Sequence, residues 1–295
     1  MKLQSLLANF VFAASVSLFA VSAAADSREQ EETFTDLTPG KGMLEPGNLS
    51  MLIQRGDVRA MNNLGLLWAK GYDGRQSYEE ALRWWNEAAR RGYTVAMNNI
   101  GLAYANGHGV DPDIKQAFDW WLKSAFGGNA WAMNAVGDCY ETGQGVQQDY
   151  VNAMTWYQTA ADAGDAMAHY NVAALYESGR GVDRDYVEAL QWYRVAARLG
   201  DASSMQAIGR FYSDGLGVEV DLVESYAWHR VAALRFKPQE VRDAERNRRQ
   251  AEQVAAGLSA EQRERSAQRL SELEALTAPK VEEPAEPLEP GEKRT

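Results

Sequence analysis

Residues 96–130 read AMNNIGLAYANGHGVDPDIKQAFDWWLKSAFGGNA. Ala96, Ile100, Gly101 and Tyr104 stand at helical spacing, which predicts a first helix with one packed stripe. Gly107 opens the turn GHGV, where a glycine supplies the left-handed conformation that stops a helix. Asp113 is placed as the N-cap of a second helix, and Gln116 three residues on is placed to complete a capping box. That second helix carries Trp120-Trp121 and ends at Gly128.

The same unit recurs along the chain. Trp84, Trp120, Trp156, Trp192 and Trp228 are spaced by 36 residues throughout. A fixed period of this length marks a solenoid, in which each unit buries its apolar face only against its neighbours. Gly65, Gly101, Gly137 and Gly209 form a column where two helices approach closely, with Ala173 in the fourth copy predicting wider packing there. Trp68, Tyr104, Tyr140, Tyr176 and Tyr212 form the aromatic column beside it. Ser77, Asp113, Asp149, Asp185 and Asp221 form the N-cap column, with Glu80, Gln116, Glu188 and Glu224 three residues later. This column therefore reads as helix initiation and not as metal ligands or catalytic acids. Gly71-Tyr72-Asp73-Gly74 departs from the loop pattern of the later copies.

Working outward, residues 1–25 have a lysine near the start, an apolar stretch and small residues before Asp26, the pattern of a cleaved secretory signal. An uncleaved anchor is the alternative, but the apolar stretch is shorter than the ~20 residues a span needs. The expected location is the periplasm. Residues 26–47 form an N-terminal extension, and the solenoid is expected over 48–236, five repeats in an all-α fold. Residues 237–276 predict two capping helices, about 239–256 and 259–276, with Ser259 and Gln262 forming a capping box. The acidic, proline-rich tail, 277–295, is expected to be disordered.

A formal net charge of −11 argues against nucleic acid and anionic lipid as partners, since both need a basic footprint. A protein with a basic or mixed face fits better. Cys139 is the only cysteine, so no internal disulfide forms. His108, His169 and His229 are not paired at metal-ligand spacing, and His229 reads as a packed helix residue. The glycine turns each follow a helix, whereas a dinucleotide site needs a preceding strand. No nucleophile elbow, zinc motif or phosphate loop is present. The expectation is no catalysis, no cofactor and no metal.

The unit A-x-x-x-(L/I/V)-G-x-x-Y-x-x-G-x-G-V-x-x-D-x-x-x-A-x-x-W-(Y/W)-x-x-A-A-x-x-G resembles the Sel1-like repeat, a relative of the tetratricopeptide repeat. The resemblance implies a right-handed α/α superhelix whose concave face, lined by the first helices, binds other proteins. It then points to an amide-rich ladder of Asn62, Asn98, Asn134, Tyr170 and Gln206 as groove lining, able to hold an extended peptide by its backbone. Leu66, Leu102, Asp138, Ala174 and Arg210 follow the glycine column, so the groove turns from apolar to charged, with Glu141, Glu177 and Asp214 adding acid. Trp131 lies outside the packing columns and is either an interface anchor or packed on Phe126. The leading expectation is a non-catalytic periplasmic adaptor or regulator that binds an envelope protein through this face. An immunity protein that occludes a secreted effector such as a phospholipase is the alternative. A β-lactam-acting enzyme, known in a cysteine-rich group of the family, is disfavoured because this chain lacks the paired cysteines.

Overall fold

A computed structural model describes residues 46–71, 75–237 and 239–278. Residues 1–45, Tyr72–Gly74, Pro238 and residues 279–295 lie outside them, and with them the expected secretory signal, all but the last two residues of the N-terminal extension and most of the tail. Thirteen α-helices and no strands occur among the described residues. After α1 (Pro46–Gln54), first helices α2 (Val58–Lys70), α4 (Thr94–Asn106), α6 (Ala130–Thr142), α8 (Ala166–Ser178) and α10 (Ala202–Asp214) alternate with second helices. The second helices are α3 (Tyr78–Arg90), α5 (Ile114–Phe126), α7 (Tyr150–Asp162), α9 (Tyr186–Arg198) and α11 (Leu222–Arg235). The chain closes with α12 (Val241–Ala256) and α13 (Ala260–Leu276). It divides into two compact units, residues 1–192 and 193–295, with the boundary inside α9.

In the first unit the seam between paired helices interlocks small and large side chains. Ala81, Ala88, Ala96, Ala117, Ala132 and Ala153 are wholly buried beside Trp85, Trp121 and Tyr157, the interdigitation that close packing requires. The glycine column sets this approach: a Cβ on Gly101 would run into the Trp121 indole, and one on Gly137 would sit 2.6 Å from the Tyr157 ring. The loop glycines do a second job. Gly109 adopts φ +74°, and a Cβ there would meet the Tyr78 backbone 2.8 Å away, so the turn of one repeat is pressed onto the second helix of the repeat before it. His108 stacks on Tyr78 at 4.3 Å in the same contact.

The N-cap column behaves as read. Asp113 Oδ1 accepts from Gln116 N at 3.0 Å, Asp149 Oδ1 from Asn152 N at 3.0 Å, and Asp185 Oδ1 from Glu188 N at 3.0 Å. The reciprocal half of the capping boxes does not form at these positions. The cap residue's own N–H is donated instead to the aromatic column: Ser77 N to Trp68 O at 3.0 Å, Asp113 N to Tyr104 O at 2.9 Å and Asp149 N to Tyr140 O at 2.8 Å. With that donor satisfied by the preceding helix, the Glu or Gln at N3 has nothing to reach back for. Glu80 turns to Arg83. At Ser259 no such carbonyl is at hand, and a full box with Gln262 forms.

In the second unit, α12 and α13 both pack on α11. Arg269 Nε pairs with Glu224 at 2.6 Å, and Arg235 Nη2 donates to Glu274 O at 2.8 Å. Thr277, assigned to the tail by composition, is buried and its hydroxyl donates to Leu273 O, so the cap extends through it. No described helix is long and apolar enough to cross a membrane.

Candidate protein-binding site

The amide ladder is inside the fold. Asn62, Asn98 and Asn134 are buried to 1% exposure or less, which corrects their expected place on an open groove. The reason is register: each stands three residues before the glycine column, and residues three apart share a helix face. They therefore point into the seam with the glycines. Trp85 Nε1 donates to Asn62 O at 3.2 Å, and Asn99 Nδ2 of the next repeat donates to Asn62 Oδ1 at 2.9 Å. Asn171 Nδ2 donates likewise to Asn134 Oδ1 at 2.9 Å. Asn98 has no such donor, because Ala135 occupies the place of Asn99 and Asn171. Its Nδ2 donates to Asn129 Oδ1 at 2.9 Å, while its own Oδ1 is buried without a partner among the described residues. These amides clip repeats together. Tyr170 is half-buried, as is Gln206, whose Oε1 accepts from Asn247 Nδ2 at 3.0 Å within the second unit.

Trp131 is also inside, 9% exposed and edge-on to Trp121 with ring centroids 6.1 Å apart. Neither an exposed anchor nor packing on Phe126 describes it. Phe126 is itself 76% exposed, edge-on to Trp156 at 5.8 Å.

The column after the glycines does reach the surface. Leu66, Leu102, Asp138 and Arg210 are half-buried. In the first unit, the strip from Leu66 and Leu102 passes to Asp138 and Glu141 of α6 and Glu177 of α8, with Arg180 bonded to Glu141 at 2.8 Å. Beneath it, the Tyr157 hydroxyl lies 2.6 Å from Asp138 Oδ1 and 2.8 Å from Glu141 Oε2. Asp138 Oδ2 is shut away from solvent without a partner among the described residues. Burial, only partly offset by the Tyr157 hydrogen bond and reinforced by Glu141 and Asp165, pushes the Asp138 carboxyl up to about 7. Burial, with the Asp138 and Glu141 carboxyl groups beside it, holds the Tyr157 phenol well above its ordinary range. Burial also raises the Cys139 thiol to about 12, which makes it inert packing. His229 is buried, its Nδ1 3.0 Å from Asn247 Oδ1, and burial lowers its pKa.

Tyr157 was not singled out in the sequence as part of a site. The signal lay in comparing columns: where Asp138 replaces Leu66 and Leu102, Tyr157 replaces Trp85 and Trp121. The partner residues Asn99, Asn129 and Asn171 carried no comparable mark.

Comparison with known proteins agrees with this architecture. The Sel1 repeat matches residues 58–93, 94–129, 132–165, 166–201 and 202–235. A Sel1 repeat protein from Oxalobacter formigenes superposes with a TM-score of 0.59 at 28% identity, covering 67% of this chain and 79% of that one. A protective antigen, c5321, present in uropathogenic Escherichia coli strains superposes with a TM-score of 0.63 at 24% identity, covering 86% and 64%. A search of curated proteins returned no match. With five contiguous or nearly contiguous copies spanning most of its length, the chain belongs to the Sel1 repeat family.

Proposed function

We propose that this chain is a non-catalytic adaptor of the bacterial periplasm that binds a polypeptide along the half-buried strip of its first helices. Sel1 repeat proteins are protein-interaction scaffolds. The observation that carries the finer reading is the chemical gradient in the first unit, from the apolar side chains of Leu66 and Leu102 to the acidic side chains of Glu141 and Glu177. Such a strip suits a partner segment with apolar side chains at one end and basic ones at the other. Location in the periplasm rests on the composition of residues 1–25 alone.

The test is affinity capture from envelope extract with the full chain, beside Leu66→Glu/Leu102→Glu and a control, Lys115→Glu, on the exposed surface of α5. The expected outcome is a partner retained by the wild type and the control, and weakened at least ~10-fold by the double variant, about 1.4 kcal/mol. Equal capture by the double variant, with helix content unchanged, would remove this strip from the binding site. One stoichiometric effector taken from neighbouring cells would turn the reading toward immunity.

A further inference from the structure

The Tyr157 hydroxyl carries one proton and lies between two carboxyl groups that differ in their freedom to move. Asp138 Oδ1 is 2.6 Å from it and Glu141 Oε2 2.8 Å. Asp138 is confined: its Oδ2 is shut away from solvent, and Asn171 Nδ2, which donates to Asn134 Oδ1 at 2.9 Å, stands 3.5 Å from its Oδ1. Glu141 stands at the last turn of α6 and faces outward as well as inward, its Oε1 accepting from Arg180 Nη1 at 2.8 Å. The Arg180 side chain is 40% exposed and that of Glu141 21%. Arg180 belongs to the loop after α8, where its Nε donates to Ser178 Oγ at 2.9 Å and its guanidinium lies 5.2 Å from the centre of the Tyr150 ring. The groups that face Asp138 are Glu141 and Cys139 from α6, Tyr157 from α7 and, through space, Asp165 from the start of α8. Helix α4 carries no charged side chain. On α5, Asp113 caps the helix, Lys115 pairs with Asp119 at 3.0 Å and Lys123 lies over the Trp120 ring.

We infer that Asp138, Tyr157 and Glu141 form a proton-operated switch whose moving part is Glu141, drawn inward when Asp138 is protonated and released to the surface strip with Arg180 when it is not. In the protonated state the Asp138 O–H donates to the phenol oxygen and the phenol O–H donates to Glu141 Oε2, so each proton has one acceptor. Loss of the Asp138 proton to solvent makes Oδ1 an acceptor. The phenol then turns its single O–H from Glu141 to the nearer oxygen, and Glu141 is left facing a second carboxylate, the like-charge arrangement that a partly buried site resists. No bond other than the Asp138 O–H breaks. Of the two carboxylates only Glu141 has an outward path, because Asp138 is enclosed and Glu141 already reaches Arg180. Burial sets the working range, since it pushes the Asp138 carboxyl up to about 7. Below that pH the strip lacks one negative charge and Glu141 is tethered; above it the charge is complete and the Glu141–Arg180 pair is free of the phenol. Where the strip holds a basic segment, the switch strengthens that hold as pH rises. This consequence rests on the function proposed above, whereas the switch itself uses only this chain.

The experiment follows the side-chain carboxyl carbons of Asp138 and Glu141 and the Tyr157 Cζ by NMR in the isotope-labelled full chain, from about pH 5 to about pH 9. The expected result is one shared step at all three carbons, centred at about 7, as coupled groups give. Tyr157→Phe, which keeps the ring, should leave a step at Asp138 and abolish the one at Glu141. Asp138→Asn, whose amide can still donate to the phenol, should hold Glu141 in its inward state with no step in this range. An Asp138 that titrates in the ordinary carboxylate range, or a Glu141 carbon indifferent to the Asp138 step, overturns the proposal in the wild type alone, whatever the folding of the variants. A Glu141 step that survives Tyr157→Phe removes the phenol as the relay and overturns it as well. The two readings fail separately: capture unaffected by Leu66→Glu/Leu102→Glu removes the strip and leaves the switch, and absent steps remove the switch and leave the strip.

Discussion

A phenol has one proton, and in the third repeat two carboxylate oxygens lie within 2.8 Å of the Tyr157 oxygen. If the phenol bonds one, the other contact needs a proton on a carboxyl, and Asp138, raised to about 7 by burial, is the group that holds it. A carboxyl raised on folding binds its proton more tightly in the folded chain. Its contribution to stability is then complete below the ordinary carboxylate range near pH 4 and lost as pH rises through about 7. Asp138 retains partial exposure, so the loss is discounted to about 2 kcal/mol, roughly half of what three pKa units represent. Thermal melts should show the wild type losing stability between pH 4 and pH 7 on that scale, and Asp138→Asn should flatten the curve. Parallel curves for the two chains would refute the shared-proton reading. This cluster was half legible: the Leu-to-Asp step was visible in the columns, but its coupling to Tyr157 needed the helix pairing. The asparagines were misplaced for a related reason. A tetratricopeptide-like face was assigned to them, while the three-residue offset from Gly65, Gly101 and Gly137 put them in the seam.

Helix starts show how local chemistry competes with tertiary contacts. The Asp and Ser N-caps were readable because capping is decided within one turn. The capping boxes were not, because the competing acceptor, such as Tyr104 O for Asp113 N, sits on another helix. The distinction has a measurable form in chemical denaturation. Asp113→Ala should cost ~1 kcal/mol, whereas Gln116→Ala should fall within ~0.5 kcal/mol of zero. Gln262→Ala, which removes half of a formed box, should cost ~1 kcal/mol. A Gln116 effect as large as that of Gln262 would contradict the arrangement seen here.

At the scale of the whole molecule, the fold was legible because a 36-residue period repeats the same steric demand at many positions at once. Burial within a repeat was less so, since a short helix between two neighbours has little free surface and small shifts in register decide which polar side chains it hides. The asparagine clips add a longer rhythm. Asn99 and Asn171 are donors 72 residues apart, and Ala135 between them is not. Copy number in such a chain is therefore best changed in pairs. Excision of residues 99–170 by unequal recombination would bring Asn171 into the place of Asn99 and keep the Asn62 acceptor matched. Excision of residues 99–134 would bring in Ala135 and orphan a buried oxygen, a cost of ~1–3 kcal/mol. Restoring the donor in the shorter excision with Ala135→Asn should recover that loss in urea unfolding; no recovery would mean that ancestry, and not hydrogen bonding, set the two-repeat rhythm.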